Sequence, residues 1–114
     1  MIEGRLKLAD LARGFGLFEQ EDVYVRIGAS EAAAIAISIL SRDLTYDTEI
    51  MDPTRAAALW QQFLLLFDGQ TLHLFSNGRS GARQWAPATK STFDMGVLIV
   101  GESSSGCLWV EDED

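Results

Sequence analysis

The chain has 114 residues, 47% of them hydrophobic and 23% charged, with a formal net charge of -8 and a single cysteine. That length fits one domain and buries roughly two thirds of the surface its unfolded form exposes, enough for one core. The charge argues against nucleic acid and anionic lipid as main ligands, since Lys and Arg hold both, and a lone Cys107 excludes an internal disulfide.

Near the start, Glu3, Arg5, Lys7, Asp10 and Arg13 interrupt any apolar leader. The apolar stretches at 32–40 and 63–67 are far shorter than the ~20 residues of a spanning helix. The expectation is therefore a cytoplasmic protein with no membrane association. Ile2-Glu3-Gly4-Arg5 looks like a processing-protease recognition sequence, and residues 1–5 are given no role in the fold.

Residues 6–13 place Leu8, Leu11 and Ala12 at helical spacing, with Gly14 as a stop. An apolar knot of Phe15, Leu17 and Phe18 follows, then a polar turn. Residues 23–27 are β-branched and aromatic and predict a strand, with Val23, Val25 and Ile27 on one face and Tyr24 and Arg26 on the other. Gly28 ends it, and Ser30 is a candidate N-cap for the next element. There Ala32, Ile35, Ala36, Ile39 and Leu40 form a helical stripe. Alternating Ile35, Ile37 and Ile39 also suit a strand, but the alanines favour a helix.

Residues 41–52 are polar and irregular, with a short strand expected at 44–50. Asp52-Pro53 marks the clearest boundary: Asp suits the N-cap, and Pro the first helical position, where its missing N–H costs nothing. A broad apolar face on Ala56, Leu59, Trp60, Phe63, Leu64 and Phe67 predicts a central helix. Asp68-Gly69 between two apolar runs also fits a tight hairpin. The helix is preferred, because no breaker separates Gln61 from Leu65.

The remainder reads as strands. Residues 71–75 alternate and meet Asn77-Gly78, a favoured turn pair, after which 82–85 would return. Residues 92–100 are the most strand-like run, and a loop from Gly101 to Gly106 with a flexible tip joins them to 107–111. The order predicts a single α+β domain over 1–114, with an antiparallel sheet of about four to five strands built of C-terminal hairpins. Two or three helices would pack on one face, leaving the other partly wet.

No catalytic, cofactor or metal constellation emerges. Gly101 and Gly106 have P-loop spacing, but Cys107-Leu108 stand where Lys and Ser or Thr are needed. Ala12 and Gly16 sit at helix-turn-helix offsets, yet the would-be reading segment at 18–22 is acidic. His73, the only histidine, reads as a strand residue, and Cys107 as a buried inert thiol; a Cys107–His73 dyad would require them to meet across the sheet. Asp43, Asp47, Glu49 and Asp52 lack calcium-loop spacing. The expectation is a protein that is not an enzyme and holds no cofactor.

Two features stand out. Trp109 precedes an acidic tail, Glu111-Asp112-Glu113-Asp114, without which the net charge halves to -4. The tail suits protection of a sheet edge; with Trp109 it also suits an aromatic anchor beside carboxylates, gripping a basic surface. Trp85, beside Arg83 and before Pro87, is a second candidate contact. These residues predict a small inhibitor or regulator of a basic protein, of bacterial immunity-protein or antitoxin type. The alternative is a small-molecule or enzymatic domain with a pocket between sheet and helices, using Tyr24, Tyr46, Trp85 and scattered carboxylates. The apolar face around 60–67 also suits a homodimer.

Overall fold

The computed structural model describes residues 8–20, 23–44, 46, 48–78, 88–89 and 93–112. In chain order these form α1 (Leu8–Gly14), β1 (Val25–Ile27), α2 (Ala29–Ser41), α3 (Pro53–Leu65), β2 (Leu72–Ser76), β3 (Phe93–Gly101) and β4 (Ser105–Asp112). The strands make an antiparallel sheet in the order β1-β2-β3-β4. The fold is α+β, as the sequence predicts. Among the described residues no helix is long and apolar enough to cross a membrane.

The boundary at Asp52-Pro53 behaves as expected. Asp52 Oδ1 accepts from the Thr54 N–H at 2.8 Å, and Pro53 opens α3. The helix continues to Leu65, and a turn through Gly69 (φ 83°) leads into β2. The alternative hairpin at 68–69 is not formed. α2 is helical, but Ser30 is not its cap: the helix begins at Ala29, behind an extended Gly28 with no side-chain cap. Among the described residues of the 44–50 segment only Glu49 makes a bridge, opposite Arg42. The segment's backbone closes onto the end of α2 instead, with the Ile50 N–H donating to Ser41 O at 2.7 Å.

The sheet is covered on both faces, not one. Val25, Ile27, Leu72, Leu74, Val97, Ile99, Leu108 and Val110 pack against α2 and α3, where Ile35, Ile39 and Trp60 fill the core. Phe75, Leu98, Cys107 and Trp109 point the other way, onto Ala12 of α1, Leu17, Tyr24 and Ala88. The unbroken apolar run of β3 explains this. Val97 and Ile99 serve one face, Leu98 serves the other, and all three are fully buried. Such a run belongs to a strand covered on both sides. Val23 joins Tyr24's side, because it lies in a turn before β1 (Val23 N–H to Gln20 O, 3.1 Å) and does not share the strand's alternation.

The β3–β4 tip is braced. The Gln70 side chain donates to Ser104 Oγ at 2.7 Å and accepts from the Ser103 N–H at 2.9 Å. Glu102 accepts from the Thr71 N–H at 3.3 Å. The expected flexible tip is thus held by the α3–β2 connection. The expected strand at 82–85 lies outside the described residues, and β2 pairs with β1 and β3.

Candidate functional site

The C-terminal strand carries three members of the expected contact set, Trp109, Glu111 and, as its last residue, Asp112. Trp109 faces Gly96 across the β3–β4 ladder. The glycine is required by this contact, because a Cβ there would come within 2.5 Å of the indole Cε3. Tyr24 meets the other side of the indole edge-to-face, with ring centroids 6.1 Å apart. The tyrosine hydroxyl donates to the Phe18 carbonyl. Trp109 is therefore half-buried and braces β4 against β3.

Its N–H donates to Asp94 Oδ1 at 3.2 Å. Asp94 is 1% exposed and lies in the middle of an apolar strand. A buried carboxylate without partners would cost several kcal/mol. Here its oxygens accept from Asn77 Nδ2 (2.9 Å), the Ala88 N–H (3.0 Å), the Thr89 N–H (3.2 Å) and Thr89 Oγ1 (3.0 Å) as well as Trp109. Asn77 also donates to the Asp94 carbonyl at 3.0 Å. One side chain thus ties the end of β2, residues 88–89 and β4 to β3. Five donor groups thus meet roughly four lone-pair positions.

Asn77, read in sequence as a turn residue, is 2% exposed and forms part of this clamp. Sequence reasoning passed over Asp94, although a lone acid among Phe93, Met95, Val97 and Leu98 is a legible signal for a buried polar knot.

The same face holds the candidate thiol. Burial pushes the Cys107 pKa up to about 11, so it stays protonated near neutral pH. Tyr24 is raised to about 12, first by burial and then by the charges of Asp94 and Cys107. Cys107 lies opposite Leu98 on one side of β3, and His73 opposite Val100 on the other. Their strands stand two spacings apart, about 10 Å. That is no nucleophile–base pair. Among the described residues His73 Nδ1 is buried without a hydrogen-bond partner, and no three His, Cys, Asp or Glu side chains gather as a metal would need.

Glu111 is exposed, two residues beyond Trp109 and opposite Asp94. Trp85, Glu113 and Asp114 lie outside the described residues. On the other face, a cavity of about 290 Å³ opens between β1, β2 and the helices, lined by Ile27, Trp60, Leu64, Leu72 and Leu74. Tyr24 belongs to the opposite face and does not line it. Comparison with known proteins finds no matching family model, no matching curated protein and no matching solved structure.

Proposed function

We propose that this protein is a small acidic binding protein that inhibits or regulates a partner with a basic surface, in the cytoplasm of a bacterium and in the manner of an immunity protein or antitoxin. One observation carries the reading: the acidic end of the chain follows β4, which Trp109, Gly96 and Asp94 tie to β3 and on which Glu111 is exposed. A cluster of carboxylates steers a cationic partner toward it by charge.

The test is capture from a host lysate with a salt gradient, followed by kinetics on the purified pair. A basic partner released at moderate salt is expected, with association slowed about tenfold when Glu111, Asp112, Glu113 and Asp114 become Gln or Asn. Binding indifferent to both salt and these substitutions would overturn the reading.

The apolar cavity beside Trp60 favours a second reading, a site for a small apolar molecule. Titration with indole or naphthalene would change Trp60 fluorescence if the cavity binds such molecules. An unchanged spectrum and melting temperature would remove this reading.

A further inference from the structure

Asn77 is the only asparagine in the chain, and Gly78 follows it. Such a pair deamidates readily, because glycine has no side chain to shield its nitrogen from the neighbouring side-chain carbonyl. In the reaction hydroxide takes the Gly78 N–H proton, and the nitrogen bonds to Asn77 Cγ. The Cγ–Nδ2 bond then breaks, and Nδ2 leaves as ammonia after taking a proton from water. Water opens the resulting succinimide at either carbonyl and leaves aspartate or isoaspartate. One water is consumed, one ammonia is released, and nothing is oxidised or reduced.

The fold engages both nitrogens of this reaction. Asn77 is 2% exposed. Its Nδ2 donates to Asp94 Oδ1 at 2.9 Å and to the Asp94 carbonyl at 3.0 Å, so the leaving group is tied by two bonds. The Gly78 N–H, whose proton must be lost, donates to Ser76 Oγ at 3.4 Å, and Ser76 is fully buried. Burial keeps hydroxide and water from the amide. Deamidation therefore waits for an opening in which Asn77 leaves Asp94, and its rate measures how often that opening occurs.

The product does not fit the place it leaves. An aspartate at position 77 only accepts, so both bonds to Asp94 lose their donor. A second carboxylate would stand where an amide nitrogen now lies 2.9 Å from Asp94, in a site where both residues are almost wholly buried. Two like charges at that spacing inside a protein oppose each other strongly. Isoaspartate would in addition lengthen the backbone by one carbon just beyond the end of β2. We infer that Asn77-Gly78 is a latent deamidation site locked by the Asp94 hub, and that conversion during an opening keeps the hub open. The inference is independent of the partner proposed above.

The test incubates the full chain in mildly alkaline buffer, folded and in urea, and follows conversion by mass mapping of the peptide that carries Asn77. Conversion in urea is expected to run about a hundredfold faster than in the folded chain. In the folded chain the Asn77 side-chain amide protons should exchange more slowly than those of the exposed Gln61, by about the same factor. D94N, which keeps the shape of the hub but weakens it, should convert at Asn77 several-fold faster than the parent. N77D, made directly, should have a lower urea midpoint and an altered near-UV spectrum.

Equal rates in the folded and unfolded chain, or Asn77 amide protons that exchange as fast as those of Gln61, would overturn the lock. D94N with the parent's near-UV spectrum and the parent's rate would overturn the role of Asp94. If D94N does not fold, D94E, which keeps the charge and displaces the oxygens, is read in the same way. N77D as stable as the parent would overturn the lasting opening, and no conversion in urea would overturn the reactivity itself.

Discussion

The two faces of the sheet are built on different principles. Under α2 and α3 the contacts are apolar throughout, with Ile35, Ile39, Trp60, Val97 and Ile99 in one cluster. On the face toward α1, a smaller apolar cluster surrounds a single carboxylate to which separate pieces of chain are bonded. The first face is held by area and should weaken in proportion to what is removed. The second is held by a hub, so removal of one group strands several donors at once. The hub also braces β4, the strand that leads to the acidic end of the chain.

The largest expected effect follows from that asymmetry. Asp94→Ala removes a carboxylate acceptor from Asn77, Ala88, Thr89 and Trp109, while Asn77 keeps its bond to the backbone carbonyl of residue 94. The loss in urea unfolding should reach about 3–5 kcal/mol, with Asp94→Asn losing less, because an amide oxygen still accepts. Equal losses, or a loss below ~1 kcal/mol for Ala, would show that the carboxylate is not the hub.

Next in size is Gly96→Ala. The new methyl would meet the Leu108 carbonyl oxygen and the Trp109 ring, with Cδ2 2.6 Å away. Overpacking of this kind costs about 1–3 kcal/mol, and the near-UV circular dichroism of Trp109 and Tyr24 should change with it. A variant with the parent spectrum would mean that the indole does not rest on this glycine. On the apolar face, Ile35→Val should cost about 0.5–1.5 kcal/mol and leave the near-UV spectrum alone. A cooperative collapse there would erase the contrast between the faces.

Legibility from sequence follows the same divide. α2 and α3 were readable because periodicity reports burial directly, and Asp52-Pro53 marks a start that Thr54 confirms by its bond to Asp52. The preference for a helix through 63–65 over a hairpin at 68–69 held for the stated reason, the absence of a breaker. What sequence reasoning missed was non-local. Asn77-Gly78 has the local signature of a turn, yet Asn77 is spent on Asp94, 17 residues away. Trp109 stands beside acidic neighbours in sequence, and nothing local shows that its register partner is a glycine against which the ring rests. The strand pairing that brings these residues together depends on which strand crosses back, and periodicity carries no such information.

An alkaline effect sharpens the contrast by chemistry rather than by volume. Cys107 and Tyr24 both sit on the hub's face. Each is neutral when protonated, and burial resists its ionisation. The folded pKa of Cys107 is about 11 against an ordinary 9.0, and that of Tyr24 about 12 against 10.0. A folded value above the unfolded one means that the folded state holds its proton longer. The resulting stability is therefore complete below pH 9 for Cys107 and below pH 10 for Tyr24, and is lost as pH rises toward 11 and 12. The urea midpoint should fall across this window, with the Trp109 contact to Tyr24 loosening as the tyrosine hydroxyl loses the proton it donates to Phe18. Tyr24→Phe combined with Cys107→Ala should flatten the decline, whereas Ile35→Val should shift the whole curve without changing its slope. A double variant that declines as steeply as the parent would place the alkaline weakness elsewhere in the protein.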